Sequence, residues 1–191
     1  MLPFIRTTHA GPYRMLVLAL AGVMSLATVQ RTPAQCSSAL NDGDFEQQTR
    51  LTVSNPWVPE GTTGIDLRRQ LSRSGLNNAW SRNVTGWNAI RQRVHLSAGV
   101  LYTLTGFVRT SANVRDGYFG FRDARQHPVS EIKFGPLPGY RELRVRFRPA
   151  QTGDYFIFTG FWAPNADGWI RMDQYTLYSP CEDVQLIPVD G

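Results

Sequence analysis

The sequence predicts an all-β chain, folded as an antiparallel β-sandwich or barrel. Three observations predict it. From about residue 40, aromatic and β-branched runs are separated by Gly, Pro, Asn and Asp, and no segment carries a good helical period. Several of those runs alternate strictly between apolar and polar side chains, as a strand with one covered face must. The runs also recur at the short, even spacing of sheets packed face to face.

The N-terminal segment precedes this pattern. Residues 15–29 form the only long apolar run, preceded by Arg6 and Arg14 and followed by Thr32-Pro33-Ala34. Charge, apolar core and small residues in that order describe a secretory signal over 1–34. The run is shorter than the ~20 residues that span a bilayer comfortably. An uncleaved N-terminal anchor is the alternative, and Met15 is a second possible start. A lipid anchor on Cys36 is disfavoured, because Gln35 stands where a small residue is expected.

A domain over 35–181 follows, with an unpatterned tail at 182–191. Cys36 and Cys181 stand at its two ends, and export permits them to form a disulfide. Closing so long a loop contributes at most about 5 kcal/mol in the chain-entropy picture. The alternative is two unpaired thiols.

The formal charge of +5 overstates the mature chain. Cleavage after Ala34 removes three arginines and no acid, leaving 17 basic side chains against 15 acidic ones. Lys133 is the only lysine, so the arginine content reads as coding bias. High pI is therefore no argument for nucleic acid, and no nucleic-acid partner is expected. No stable membrane insertion is expected after signal cleavage, and oligomeric state is left open.

The predicted strands are 43–53, 76–83, 87–96, 101–110, 117–123, 129–134, 140–148, 153–162 and 168–178. Residues 54–75, rich in Gly, Pro, Ser and Thr, read as a long loop, either a lid, a binding loop or an insertion. The segment 87–109 is the most informative. It reads as two strands joined by a turn at Ser97–Val100, with Ile90, Val94 and Leu96 on one parity and Trp87, Arg91, Arg93 and His95 on the other. Further on, Phe119 and Phe121 oppose Tyr118, Gly120 and Arg122. Leu143, Val145 and Phe147 oppose Arg144, Arg146 and Arg148. Residues 154–162 are apolar on both parities, which marks a central strand or one lining an aromatic groove.

Four pieces resemble the family 4/9/22 carbohydrate-binding modules. Asn41-Asp42-Gly43-Asp44-Phe45-Glu46 is similar to their opening N-x-G-D-F-E. Ser74-Gly75 followed by Ala79 resembles their HSG turn and second strand. Trp87 through Val108 resembles W-x-x-x-x-Q-x-V-x-L-x-A-G-x-x-Y-T-L-x-x-x-V. Trp169 through Leu177 resembles the closing I-D-D-V-S-L strand. Gln174 stands where many members have a second Asp, Arg73 where His is common, and the 54–75 loop has no close counterpart. The likeness covers 41–178 and implies a galactose-binding-like β-jelly roll. It also implies a secreted, non-catalytic module that holds a polysaccharide or oligosaccharide in a groove.

Sugar recognition needs flat apolar platforms for C–H faces and polar groups at their edges. Trp87, Tyr118 and Trp162 are the candidate platforms, and Trp87 also matches a cleft tryptophan of related modules. Arg91, Arg122 and Arg146 are candidate fork donors to hydroxyls or a uronate. Trp80, Trp162 and Trp169 can equally serve as core or rim packing, and an arginine row can be a solvated face. The resemblance further implies a structural calcium held by Glu46 and Asp173, with backbone carbonyls near Asp44 and from the Arg73–Gly75 turn. Calcium takes six to eight oxygens.

Enzyme chemistry finds little support. His95 and His127 are far apart, and neither a nucleophile elbow nor a phosphate-cradling loop is present. Glu131 and Glu142 form the one carboxylate pair to test for a small hydrolase or lyase. An extracellular structural or adhesion module contacting protein is the other alternative. Asn83-Val84-Thr85 is a glycosylation sequon.

Overall fold

The computed structural model describes residues 40–163 and 165–179. The expected signal segment, the tail, and both cysteines of the expected disulfide lie outside the described residues.

Ten strands form: β1 (Trp57–Glu60), β2 (Thr63–Leu67), β3 (Asn77–Asn83), β4 (Trp87–Leu96), β5 (Tyr102–Thr110), β6 (Asp116–Arg122), β7 (Pro128–Phe134), β8 (Arg141–Phe147), β9 (Gly153–Trp162) and β10 (Gly168–Tyr178). They make two five-stranded antiparallel sheets, ordered β1-β4-β9-β6-β7 and β2-β3-β10-β5-β8. The result is an all-β sandwich of jelly-roll type. The two longest informative strands, β4 and β9, run side by side at the centre of the first sheet, pairing Trp87 with Trp162 and Leu96 with Gly153.

The alternation read from sequence places the core. Ile90, Val94 and Leu96 are buried between the sheets, with Phe119 and Phe121 from β6, Ile157 and Phe161 from β9, and Leu104, Val108, Ile170, Met172 and Leu177 from the other sheet. Each such side chain removes roughly 1.5–3 kcal/mol of apolar exposure from water, which is why one parity faces inward along each strand. The opposite parity carries Trp87, Arg91, Arg93 and His95 to the outer face. The turn expected at Ser97–Val100 is present, with Gly99 at φ 76° and Val100 N–H donating to Ser97 C=O at 3.4 Å.

Two expectations fail. Residues 43–53 form turns instead of a strand. Asp42 is the reason. Its carboxylate accepts from Gln47 N–H at 2.9 Å and Gln48 Nε2 at 2.6 Å, and its carbonyl accepts from Phe45 N–H and Trp57 Nε1. Local bonds of this kind compete with a ladder. Phe45, at φ 61°, is thereby turned fully into the core, against Trp57 and Tyr175. The segment 54–75 likewise is not all loop, because it contains β1 and β2. Pro59 disguises β1 in the sequence, but β1 is an edge strand, where a missing N–H is tolerated. Between them Gly61, at φ 74°, turns the chain from one sheet to the other, so close to Asn88 that a Cβ there would lie 2.5 Å from its Oδ1.

Candidate functional site

The outer face of the first sheet carries an open groove of about 510 Å³. Its platforms come from three neighbouring strands: Trp87 (β4), Trp162 (β9) and Tyr118 (β6), all on the parity that points away from the core, while Phe158 (β9) shares that parity but is buried under them and Arg122. Gly160 makes the arrangement possible. It lies beside Tyr118 in the ladder, and a Cβ there would come within 2.5 Å of the Trp87 ring, so the indole rests on bare backbone. Trp87 then sits 5.6 Å from Trp162 and 6.1 Å from Tyr118, centroid to centroid, tilted at 56° and 51°. Trp162 keeps 53% of its surface exposed at the groove's edge.

Glu60, at the end of β1, organises the polar side. Its carboxylate accepts from Trp87 Nε1 at 2.6 Å and from Arg122 at 3.1 and 3.2 Å, and lies 3.0 Å from Arg91 Nε. The Arg122 guanidinium also lies over the Phe158 ring at 4.0 Å and the Trp87 ring at 5.1 Å. These contacts fix the indole and the guanidinium relative to each other. Gln126, at φ 69°, adds a polar wall with a buried Oε1 that has no hydrogen-bond partner. Glu131 lies on the far rim, on β7. A concave surface with tilted rings and a few fixed polar groups can stack on a flat ligand and orient it.

Trp87, Tyr118, Trp162 and Arg122 therefore converge as the sequence suggested. Arg91 is adjacent but spends its guanidinium on Glu60 and on the Phe156 ring at 4.7 Å. Arg146 does not belong. It sits on β8 in the other sheet, exposed. Alternation shows that a side chain faces outward, but not on which sheet. The Glu131–Glu142 pair fails for the same reason: Glu142 is on β8, bonded to Arg144. Trp80 and Trp169, offered as core or rim packing, lie half-buried on the outer face of the second sheet. Glu60 and Gln126 were missed. Glu60 lay within the segment read as a loop, and Gln126 follows a strand in a turn. Asn83 of the sequon donates its side-chain amide to Thr62 and Asn88.

The implied calcium ligands meet partly. Asp173 is wholly buried, accepting from Arg73 N–H at 2.8 Å, Ser74 N–H at 3.1 Å and Gln174 N–H at 2.7 Å. Glu46 Oε1 accepts from Leu76 and Asn77 N–H, both at 2.8 Å. Burial pushes the Asp173 carboxyl up to about 6, against the pull of those amides and with a further push from the Glu46 charge. Asp44 accepts only weakly from Glu46 N–H, at 3.4 Å. Among the described residues no three acidic, histidine or cysteine side chains gather as a metal site. Backbone amides already compensate both carboxylates, so three side chains alone do not make the site.

No protein-family model matches the chain, and no curated protein matches it. Solved structures do. A family 61 carbohydrate-binding module in complex with β-1,4-galactotriose is similar at 16% identity and TM-score 0.59, over 75% of this chain and 99% of that one. A Stig cyclase from Fischerella sp. TAU is similar at 13% identity and TM-score 0.62, over 78% and 100%. An arabinose-bound α-L-arabinofuranosidase is similar at 15% identity and TM-score 0.61, over 76% of this chain but only 27% of that enzyme. Modules of families 4 and 22 share the architecture. At these identities the likeness carries the fold alone: this chain is an antiparallel β-sandwich of jelly-roll type, the architecture of these carbohydrate-binding modules.

Proposed function

We propose that this chain is a secreted, non-catalytic module that holds a polysaccharide or oligosaccharide along the Trp87–Tyr118–Trp162 groove. The observation that carries the reading is three aromatic rings held open together on one face, beside a half-buried Glu60–arginine network that fixes Trp87. Sugar C–H faces stack on the indoles, while Arg122 and the Glu131 carboxylate on the groove's lining meet hydroxyls. The printed galactotriose of the family 61 module and the xylan of a family 22 module name ligands of those proteins, and they supply the first probes. A glycan array with residues 35–191 and with Trp162→Ala tests the reading. Binding to a glycan that the variant loses supports it, and no binding to any polysaccharide overturns it.

Catalysis is the second reading, because a chain named a cyclase is similar over its whole length and over 78% of this one, and one sandwich can serve binding or catalysis. The groove argues for binding instead. Glu60 is consumed by two guanidiniums and an indole, leaving Glu131 as the one unengaged carboxylate on its lining, where glycoside hydrolysis needs two. Calcium is proposed as a structural ion at Glu46 and Asp173, completed by carbonyl oxygens. The support is two carboxylates gathered on one turn, Asp173 on the Arg73 and Ser74 amides and Glu46 on those of Leu76 and Asn77. Bound calcium raises the melting temperature, and a chelator reverses the gain. An unchanged melting temperature removes the ion from the reading.

A further inference from the structure

We propose a second saccharide site, on the outer face of the other sheet, built for an acidic sugar. The site is separate from the Trp87 groove and does not depend on it.

In the β3–β10 ladder Trp80 pairs with Arg171 and Arg82 pairs with Trp169, so rings and guanidiniums alternate like squares on a board. Gly64 on β2 lies opposite Trp80, and any Cβ there would collide with the indole. The ring therefore lies flat over bare backbone, as Trp87 does over Gly160. The Arg171 guanidinium stacks over Trp169 at 4.7 Å. Leu51 and Leu71 wall the space above, leaving a cavity of about 290 Å³, at the small end of ligand pockets.

Its charge is unbalanced. Arg69, Arg82 and Arg171 line the cavity against a single carboxylate, Asp66. Asp66 is shared between Arg171 at 3.2 Å and Arg69 at 3.7 Å. Arg82 forks onto Asp167, but that pair is exposed, at 60% and 52%, so a ligand carboxylate can displace it. Beside Arg171 in the β10–β5 ladder, the Arg109 guanidinium lies 5.9 Å from the Trp169 ring, with its Nε buried and without a hydrogen-bond partner. A pyranose face can rest on an indole while its carboxylate takes a guanidinium fork. A neutral sugar leaves three guanidiniums sharing two carboxylates, Asp66 and Asp167, with the positive excess unmet. The occupant that satisfies both features is a uronate unit of an oligosaccharide.

The chain's five tryptophans give separate indole N–H resonances, which report each site directly. Tetragalacturonate, titrated into the full domain, shifts those of Trp80 and Trp169. Its fully methyl-esterified form does not. Arg69→Gln with Arg82→Gln, both exposed and outside the core, weakens tetragalacturonate at least tenfold, while Trp162→Ala leaves its affinity unchanged. Equal shifts from the charged and esterified probes, shifts confined to Trp87 and Trp162, or no shift at Trp80 and Trp169 would each overturn the proposal.

Discussion

Replacing Glu60 with alanine tests the groove at its hinge. The carboxylate is 21% exposed, and its partners Arg122 and Arg91 are 12% and 24% exposed. An exposed ion pair is worth at most about 1 kcal/mol, whereas removing one partner of a fully buried pair costs about 3–5 kcal/mol. The geometry here lies between those limits. Two guanidiniums lose their anion together, and the Trp87 indole N–H loses its acceptor. The expected loss is about 2–3 kcal/mol of unfolding free energy. Urea denaturation followed by tryptophan fluorescence reads it as a midpoint shift of about 1 M with unchanged slope, for a slope of about 2–3 kcal/mol/M. Trp87 is also released from its fixed tilt, so affinity for any groove ligand falls about tenfold or more. A cycle combining Glu60→Ala with Arg122→Ala should give less than the sum of the single losses, because the second change removes a charge already left unpaired. A loss below about 0.5 kcal/mol with unaltered affinity would refute the idea that Glu60 organises the site.

Further outcomes follow from the same geometry. Trp162→Ala should lower affinity for a glycan held in the Trp87 groove by about tenfold to a hundredfold while changing stability by less than about 0.5 kcal/mol, since the ring is half exposed; calorimetry and melting check the two together. Gly160→Ala places a methyl within 2.5 Å of Trp87 and of Ala89 Cβ, so it should cost about 1–3 kcal/mol and weaken binding, whereas Arg146→Ala, on the other sheet, should do neither. With chelator present, Asp173 gives a signed pH effect. Its carboxyl, raised to about 6 from 3.8 by burial and by Glu46, holds its proton more tightly in the folded chain than in the unfolded one. Its stabilising contribution is complete below about pH 4 and is lost as pH rises through about 6, on the order of 3 kcal/mol, and Asp173→Asn should flatten that part of the profile. A profile of unchanged slope in the variant would assign the effect elsewhere.

The sequence alone determined the sidedness of the strands, because a two-residue period turns directly into two faces. Ile90, Val94 and Leu96 went inward and Trp87 outward on that ground, and the same reading sent Tyr118 and Arg122 to the face opposite Phe119 and Phe121. The closing strand and the β4–turn–β5 unit were equally legible, since they depend on local alternation and a glycine turn. Local information also misled at residues 43–53. There an aspartate's bonds to neighbouring amides outweigh strand propensity, and nothing in the alternation reports them.

Tertiary structure alone decided which outward faces share a sheet. Arg146 and Glu142 point outward as firmly as Trp87 does, yet pairing along β5 carries them to the opposite side of the sandwich. Pairing also made a site from residues that looked unremarkable in the chain. Glu60, four residues into a Pro-containing edge strand, reaches Trp87, Arg91 and Arg122 only because β1 lies against β4. Side-chain direction follows from neighbouring bonds, but partnership between strands is a long-range choice, set by which buried faces fit together.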